Sequence, residues 1–342
     1  MRSIRWRHAV LVALMAVVAT ACGGDGDGQA KECTSDFQVG VAYDVGGLGD
    51  RSFNDAAHAG LQRAIADDLV DAACATSNQV DTTGSNRGAN VQALARGGYD
   101  LVVGVGFGFS TDIAAVAPDH PDTSFMVVDG AAAGANVVDF VFRENEGSFL
   151  VGAAAALKCG CDTIGFLGGQ TGPLIGKFEA GYAAGARAVN PNIAVLARYI
   201  GDDASAFNDP SAAEALSNQM YDAGAEVIYH ASGGSGAGLF AAAAAQGKWA
   251  IGVDSDQYLT ARADQRPYIL TSMLKRVDVA VHEAIRATKA GTFTSGQRVF
   301  GMAENGVGYA TSNPALASDI VAALETYRQE IIAGEIVVPT EP

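Results

Sequence analysis

Short apolar stretches alternate with stretches of helical periodicity along most of the chain. One series runs from an apolar stretch at 37–43 to another at 137–142, and a second runs from 164–167 to 249–253. Alternating strands and helices of these lengths predict right-handed βαβ units and parallel sheets covered by helices on both faces. With 342 residues, the chain is long enough for two such domains. The sequence therefore predicts an α/β fold made of two doubly wound lobes with a cleft between them.

The connection between the first strand and the first helix carries a distinctive group of residues. The stretch 41–54 reads VAYDVGGLGDRSFN, in which Asp44 ends the strand and a glycine-rich loop follows. Ser52 is placed to cap a helix that begins with Phe53 and Asn54. In an open parallel sheet, ligands bind at the carboxyl ends of the strands. We therefore expect part of a ligand site here, although an ordinary strand–loop–helix turn would show the same local pattern.

Polar residues and glycines end other strands in the same way. Asp129 closes the fourth apolar stretch, and Asp254 closes the stretch WAIGVD at 249–254. The stretch HASGGSGAG at 230–238 places Gly234 between a strand and a helix, where backbone N–H groups can hold oxygen atoms of a ligand. A plain turn is the alternative explanation for this glycine-rich stretch. These positions extend the candidate ligand site to further strand ends.

The chain is acidic, with 22 Lys and Arg against 38 Asp and Glu and a formal net charge of −16. The sequence contains no basic stripe of the kind that binds nucleic acid or an anionic membrane surface. The composition therefore argues against nucleic acid as a partner.

Motifs for catalysis or metal binding are weak in this sequence. Ser272 and Lys275 match the S-x-x-K pattern of penicillin-recognising acylases, but only two of its positions are fixed, and neither S-D-N nor K-T-G follows. The sequence has no GKS or GKT phosphate loop. The histidines beyond the amino-terminal segment lack the spacing of a metal site or a catalytic triad; they are His58, His120, His230 and His282. We therefore expect a protein that is not an enzyme and that has no metal and no cofactor.

The amino-terminal residues have the pattern of an export signal. Residues 1–21 combine a basic start with an apolar run that is too short to anchor the chain across a bilayer. The run ends in ATAC, which resembles a bacterial lipobox with Cys22 as the lipidated residue, although Ala19 stands where leucine is usual. Residues 22–35 would then form the lipidated cysteine and a flexible tether. The sequence predicts a lipid anchor on the extracytoplasmic face of the cell membrane, with cleavage without lipidation as the alternative.

Export also bears on the four remaining cysteines, because disulfides persist in oxidising compartments. Cys33 precedes the first strand and Cys74 precedes the second, so parallel neighbouring strands would bring these two residues to the same edge. We therefore predict a Cys33–Cys74 disulfide, which leaves Cys159 and Cys161 to form a second one. Zinc is the alternative, but no histidine at ligand spacing lies near either pair.

Several motifs together resemble a known family. In chain order they are VAYDVGGLGDRSFN, FRENEGSFLVG, IGFLGG with the later FEAGYAAG, IGVDSDQ and TSMLKRVD. In this order and spacing they are similar to the basic membrane protein family of bacterial lipoproteins, which are substrate-binding components of ABC transporters. The purine-nucleoside receptors of that family resemble the sequence most, and the similarity covers nearly all of the mature chain.

The resemblance implies the type I periplasmic-binding-protein fold, with two lobes joined by a three-segment hinge. We expect the first lobe to comprise 36–142 and about 270–297. The second lobe would comprise 143–269 and about 298–342.

The resemblance also implies a purine-nucleoside site between the lobes. Phe53 and Phe178, from opposite lobes, would stack on the two faces of the purine ring, because bases stack favourably on aromatic side chains. The polar residues of this site would be Asn54 and Asp129 at the base edge, Asp254, Lys275 and the backbone of Gly234 at the ribose, and Asp44 in the same wall.

The function expected from this resemblance is capture of adenosine, guanosine or inosine by a monomer whose lobes close around the ligand. The closed form would then deliver the nucleoside to an ABC permease. A binder of another small polar ligand, such as a sugar or a free base, is one alternative. Others are a ligand-sensing partner of a membrane signalling protein and an enzyme that acts on the bound ligand.

Overall fold

The computed structural model describes residues 32–342. The predicted signal peptide, Cys22 and most of the tether lie outside the described residues. Within 32–342, no helix has the length and apolar character needed to cross a membrane.

Strands and helices follow one another in the order that the sequence pattern predicts. The strands are β1 Val39–Tyr43, β2 Ala75–Gln79, β3 Leu101–Val105, β4 Ser124–Val128, β5 Val137–Phe142, β6 Thr163–Gln170, β7 Ala194–Gly201, β8 Val227–Ala231, β9 Trp249–Asp254, β10 Ile269–Lys275, β11 Gly296–Phe300 and β12 Val307–Tyr309. The helices are α1 Phe53–Ala66, α2 Arg87–Arg96, α3 Ser110–Val116, α4 Glu144–Cys159, α5 Pro173–Val189, α6 Pro210–Asp222, α7 Gly236–Gln246, α8 Gln257–Thr260, α9 Val277–Lys289 and α10 Ser318–Ile332.

The first lobe is built on a six-stranded sheet with the order β11-β5-β4-β3-β1-β2, in which every neighbouring pair is parallel. Its inner strands β1 and β3 are buried along their whole length. Strands covered on both faces require continuous apolar sequence, and VGVAY and LVVGV supply it. The edge strand β2, with the more polar sequence ATSNQ, is partly exposed.

The second lobe repeats this topology with the order β12-β10-β9-β8-β6-β7. Its strands are also parallel, except that β12 pairs antiparallel with β10 and places Val307 opposite Lys275. The sequence pattern does not predict β12, because three residues are too few for a periodicity. The two lobes therefore have equivalent strand orders and differ in the direction of one edge strand.

The strand pairing moves two of the predicted lobe boundaries. Residues 270–275, expected in the first lobe, belong to β10, which pairs with β9 in the second lobe. Residues 298–300, expected in the second lobe, belong to β11, which pairs with β5 in the first. In both places the chain completes a strand before it crosses, because the backbone groups of a strand find their hydrogen-bond partners within one sheet. The crossings between lobes therefore follow Phe142, Lys275 and Phe300.

Helices α4 and α5 of the second lobe pack closely through glycines. A Cβ atom on Gly181 would lie 2.1 Å from the Asn145 carbonyl oxygen, and one on Gly185 would lie 1.9 Å from the Phe149 carbonyl oxygen. Only glycine leaves room for this approach. The contact fixes the position of α5, which carries Phe178, relative to the start of α4.

Two disulfides are present. Cys33 is joined to Cys74 with a Cα–Cα distance of 4.8 Å, and Cys159 is joined to Cys161 with a Cα–Cα distance of 5.0 Å. Strand β1 pairs with β2, so the segments that precede them start at the same edge, as the sequence suggested. Within residues 32–342, no group of three or more His, Cys, Asp or Glu side chains is arranged to hold a metal ion.

Candidate functional site

A cavity lies between the lobes at the carboxyl ends of strands from both sheets. Seven of the residues predicted from the sequence line it, and they are Asp44, Phe53, Asn54, Asp129, Phe178, Asp254 and Lys275. Gly233 rather than the predicted Gly234 lines the wall. A Cβ atom on Gly234 would point towards the Phe207 carbonyl oxygen, 3.4 Å away, and the Asp50 Cβ atom, 3.6 Å away.

Two phenylalanines from opposite lobes flank one point of the cavity. Phe53 opens α1 in the first lobe, and Phe178 lies in α5 of the second. The Lys275 Nζ atom is 5.0 Å from the centroid of the Phe53 ring and 5.4 Å from that of the Phe178 ring. Both distances are in the range of cation–π contacts. Both rings also line the cavity, so they border the same space.

Lys275 is the buried cation of this site, with a side chain only 2% exposed. It ends β10 in the second lobe and donates a hydrogen bond to Asp129 Oδ2, which follows β4 in the first lobe. Burial by itself would lower the pKa of Lys275, but the carboxylates of Asp129, Glu144 and Asp254 more than offset this and raise it. Lys275 is therefore protonated and forms an ion pair across the cleft.

Glu144 is a second carboxylate partner of Lys275 that the sequence did not single out. It is the first residue of α4, and its side chain is 1% exposed. Its Oε1 atom lies 3.6 Å from Lys275 Nζ, and its Oε2 atom lies 3.3 Å from Lys177 Nζ. Burial raises the pKa of Glu144, although both lysines oppose that shift. Glu144 thus links the hinge to the residue next to Phe178.

Asp129 and Asp254 share an unusual backbone conformation. Both have φ of 64°, a left-handed value that aspartate tolerates better than most residues. Among the described residues, no donor reaches the buried Oδ1 atom of Asp129. Asp254 instead accepts a 2.6 Å hydrogen bond on Oδ2 from the Ser52 hydroxyl of the other lobe. Burial raises the pKa of Asp254 to about 6, against the lowering effect of Lys275 and Ser52.

Asp44 lines the cavity as half of an ion pair. Its Oδ1 atom accepts hydrogen bonds from Arg87 Nε at 2.8 Å and from the Val45 N–H at 2.8 Å. Burial raises the pKa of Asp44, while Arg87 acts in the opposite direction. Arg87 compensates the negative charge of Asp44. The Oδ2 atom of Asp44 accepts fewer hydrogen bonds than its Oδ1 atom.

Asn54 holds the glycine-rich loop in shape. Its Oδ1 atom accepts from the Asp44 N–H at 3.0 Å, and its Nδ2 group donates to Asp50 Oδ2 at 3.0 Å and to the Val45 carbonyl oxygen at 3.4 Å. Both amide hydrogens are therefore used inside the loop. This role in the loop is one that the sequence alone did not reveal.

Further lining residues follow from the same rule that found Asp44. Phe107 comes after the carboxyl end of β3, and Phe207 lies in the turn after β7. Asp50 belongs to the glycine-rich loop itself. An aromatic residue shortly after a strand end is therefore, like a carboxylate there, a sequence signal for the cavity wall.

The weaker sequence motifs have structural roles. Ser272 and Lys275 lie three residues apart in β10, so their side chains point to opposite faces of the sheet and do not form an acylase-like pair. Each of the four histidines has a hydrogen-bond partner at 2.8–3.0 Å, and the pairs are His58 with Tyr43, His120 with Gln92, His230 with Gln257 and His282 with Asp67.

Comparison with known proteins gives a consistent result. A family model described as "ABC transporter substrate-binding protein PnrA-like" matches residues 37–341. A CD4+ T-cell-stimulating antigen from Listeria innocua is 36% identical, with 95% of each chain covered. The ABC transporter nucleoside-binding protein BmpA of Lactococcus lactis is 30% identical, with 97% of each chain covered.

A solved structure of similar fold comes from Aeropyrum pernix K1. This solute-binding protein of an ABC transporter system is 29% identical and superposes with a TM-score of 0.75, covering 89% of this chain and 94% of the other. The comparisons confirm the family resemblance, the two-lobe fold and the expectation of a binding protein rather than an enzyme. The chain belongs to the PnrA-like family of ABC transporter substrate-binding proteins.

Proposed function

We propose that this protein captures purine nucleosides between its two lobes and delivers them to an ABC permease. The observation that carries the proposal is the pair of rings, Phe53 and Phe178, which approach the same buried lysine from opposite lobes. Stacking of a base on an aromatic side chain contributes roughly 1–3 kcal/mol. Since the rings belong to different lobes, a base receives both contacts only when the lobes are closed.

The polar groups around the rings suit a nucleoside. Asp129 Oδ1, which is buried and has no donor within the described part of the chain, would accept from an N–H group on the edge of the base. Asp254 would accept from the ribose hydroxyls, with Lys275 as a donor beside it. A buried polar group that is left without its partner costs binding energy, so such a site rejects analogues that lack the matching hydroxyl or amine.

The charge of the cavity argues for an uncharged ligand. Its wall contains four aspartates and one lysine, and they are Asp44, Asp50, Asp129, Asp254 and Lys275. A phosphate group would add negative charge where carboxylates already predominate, and such repulsion is strong in a buried site. We therefore expect nucleosides to bind and their monophosphates to be rejected.

The cellular setting follows from the family and from the amino terminus. A substrate-binding protein works with the permease of its transporter. The ATAC stretch before Cys22 supports a lipid anchor that would hold the monomeric protein on the extracytoplasmic face of the membrane. A nucleoside-binding relative that is 30% identical supports the assignment of the ligand.

Calorimetric titration tests the ligand. The whole chain is unfolded and refolded with its disulfides intact to remove any ligand carried through purification. It is then titrated with adenosine, guanosine, inosine, cytidine, ribose and adenosine monophosphate. We expect tight binding of the purine nucleosides alone. Binding of ribose alone, or of none of these compounds, would contradict the proposal.

A matched pair of variants tests the aromatic contact. Phe178→Ala removes a ring from the cavity, whereas Phe240→Ala removes an equally buried ring from the core of the same lobe, outside the cavity. We expect Phe178→Ala to abolish nucleoside binding. Phe240→Ala should still bind nucleosides when it is measured below the temperature at which this variant unfolds. Equal losses in the two variants would assign Phe178 to core packing.

A further inference from the structure

The side-chain amide of Gln257 joins both lobes. Gln257 is the first residue of α8 and is 2% exposed. Its Oε1 atom accepts from the Val253 N–H at 2.9 Å and lies 2.9 Å from His230 Nε2, both in the second lobe. Its Nε2 group donates to the Arg51 carbonyl oxygen of the first lobe at 3.1 Å. One amide thus connects two strand ends of one lobe to the glycine-rich loop of the other.

The hydrogen bonds determine the orientation of this amide and the tautomer of His230. A backbone N–H can only donate, so the atom that faces Val253 is the oxygen of Gln257. That oxygen can only accept, so His230 carries its proton on Nε2. Full burial lowers the pKa of His230 to about 4, which keeps the ring neutral and leaves Nδ1 as an acceptor.

The connection continues from His230 to the cavity. His230 Nδ1 lies 3.1 Å from the Ser232 hydroxyl, and Ser232 lines the cavity. Since Nδ1 is an acceptor, the Ser232 hydroxyl donates a hydrogen bond to the ring. This bond holds the fully buried Ser232 in place at the cavity wall. The other partner of the Gln257 oxygen is the N–H of Val253. Val253 directly precedes Asp254, which also lines the cavity.

The backbone on both sides of this contact is held in an unfavourable conformation. Arg51 has φ of 56° and Asp254 has φ of 64°. Such values persist in residues other than glycine where surrounding contacts hold them. Further hydrogen bonds across the cleft join Ser52 Oγ to Asp254 Oδ2 at 2.6 Å and Ser255 Oγ to the Ser52 carbonyl oxygen at 3.2 Å. The hydrogen bond between Gln257 and Arg51 therefore belongs to a group of neighbouring hydrogen bonds that join the two lobes.

We propose that Gln257 is a positioning residue that couples closure of the lobes to the shape of the ligand site. It holds Ser232 and Asp254 at the cavity wall through His230 and Val253, and it bonds Arg51 when the lobes meet. The identity of the ligand rests on the proposed function, whereas the role of the amide in closure does not.

Two variants separate the contributions of Gln257. Gln257→Glu keeps an oxygen for Val253 and His230 but removes the donor to Arg51. Gln257→Met has a similar length and no hydrogen-bonding oxygen or nitrogen in its side chain, so it shows whether an added charge explains the first result. Ser255→Ala is the matched control, because it removes another hydrogen bond across the cleft from a residue outside the cavity wall.

The first measurement needs no ligand. Spin labels at Thr111→Cys in α3 and Glu214→Cys in α6, which are exposed positions on different lobes, report the distance between the lobes. We expect both Gln257 variants to populate longer distances in the ligand-free chain, and Ser255→Ala, which loses one hydrogen bond across the cleft but no contact to His230 or Val253, to change the distances less. Wild-type distances in folded Gln257→Glu protein would overturn the proposal.

The second measurement uses adenosine, guanosine and inosine. We expect the Gln257 variants to bind roughly tenfold more weakly, since the Arg51 carbonyl loses its donor across the cleft, with a faster dissociation rate and an unchanged association rate. Ser255→Ala should lose less than about threefold. Equal losses in Ser255→Ala and the Gln257 variants would also overturn the proposal. If none of the three nucleosides binds the wild type, the proposed function fails and the distance measurement alone decides the role of Gln257.

Discussion

Asp129 and Asp254 occupy equivalent places in the two lobes, and the difference between them shows what the cleft contributes. Each lies at the carboxyl end of the fourth strand of its lobe in chain order, and each has φ of 64°. Asp129 is bonded to Lys275, and its other oxygen has no hydrogen-bond partner among residues 32–342. Asp254 accepts from the neutral Ser52 hydroxyl.

The two carboxylates therefore have different electrostatic surroundings on similar backbones. Lys275 is bonded directly to Asp129. Lys275 and the Ser52 hydroxyl offset the burial of Asp254 only in part, so that the pKa of Asp254 is raised to about 6. Both partners come from the opposite lobe. The electrostatic environment of each aspartate thus depends on closure of the cleft, because its hydrogen-bond partner belongs to the other lobe.

Removal of the shared cation should have the largest effect. Lys275→Met leaves Asp129, Glu144 and Asp254 buried without their common positive charge. Loss of one partner of a buried ion pair typically costs about 3–5 kcal/mol of unfolding free energy, and we expect nucleoside binding to be lost as well. Urea denaturation and calorimetric titration measure the two effects.

Lys248→Met is the control for that variant. Lys248 pairs with Glu226 at the surface, where the two side chains are 27% and 43% exposed. An exposed ion pair contributes less than about 1 kcal/mol. A loss in Lys275→Met as small as that in Lys248→Met would contradict the central role of Lys275.

The two aspartates should respond differently to the same substitution. Asp129→Asn removes the charged acceptor of Lys275, and we expect a loss of about 1.5–3 kcal/mol, the range for hydrogen bonds to charged groups. Asp254→Asn retains an oxygen for Ser52 and removes a charge that burial disfavours, so we expect no loss of unfolding free energy at pH 7 in the ligand-free chain. Denaturant unfolding of both variants at pH 7 makes the comparison, and equal losses would remove the proposed difference.

Asp254 should also contribute a pH dependence of stability. An unfolded aspartate has a pKa near 3.9, whereas the folded group holds its proton up to about pH 6. Its destabilising charge is therefore absent below about pH 4, develops between pH 4 and 6, and is complete above pH 6. We expect the unfolding free energy of Asp254→Asn relative to wild type to rise by on the order of 3 kcal/mol across this window.

Unfolding of both proteins at pH 4, 5, 6, 7 and 8 measures this difference, in which other titrating groups largely cancel. The difference should be constant above pH 6.5. A pH-independent difference would show that the carboxyl group of Asp254 titrates normally in the folded chain.

The smallest expected effect is that of Ser52→Ala. It removes the hydroxyl donor to Asp254 and should lower the unfolding free energy by about 1 kcal/mol, the usual net contribution of one hydrogen bond. The upper end of the window of pH-dependent stability should move to higher pH, because Ser52 lowers the pKa of Asp254 in the folded chain, while the lower end stays near pH 4. Thr76→Ala, in the partly exposed edge strand β2, serves as a control that should leave the window unchanged.

The sequence alone was sufficient for the fold and for much of the cavity wall. Alternating apolar and helical stretches predict the strands because parallel sheets bury both faces. The rule that ligands bind at strand ends finds Asp44, Asp129 and Asp254 without knowledge of their neighbours. Phe178 required the family resemblance, since a phenylalanine in a helix more often packs in the core.

Contacts between residues that are distant in sequence were not predictable in this way. Ser52 and Asp254 are 202 residues apart, and nothing local to either indicates the other. Glu144 reads as an ordinary acidic residue in the first turn of a helix until the lobe crossing places it beside Lys275. The role of Gln257 is visible only in the folded chain, where its side-chain amide contacts His230 and Arg51.

The close contact between α4 and α5 has a mechanical consequence. Because Gly181 and Gly185 leave no space for a side chain, the two helices move as one rigid arm that starts at Glu144, just beyond the first crossing between the lobes. Any rotation of this arm carries the ring of Phe178 through the same angle. The glycines of the helix contact thus fix the ring of Phe178 to the arm, while residues of the cavity wall contact the ligand. The movement of the ring and the choice of ligand therefore depend on different residues and can change separately during evolution.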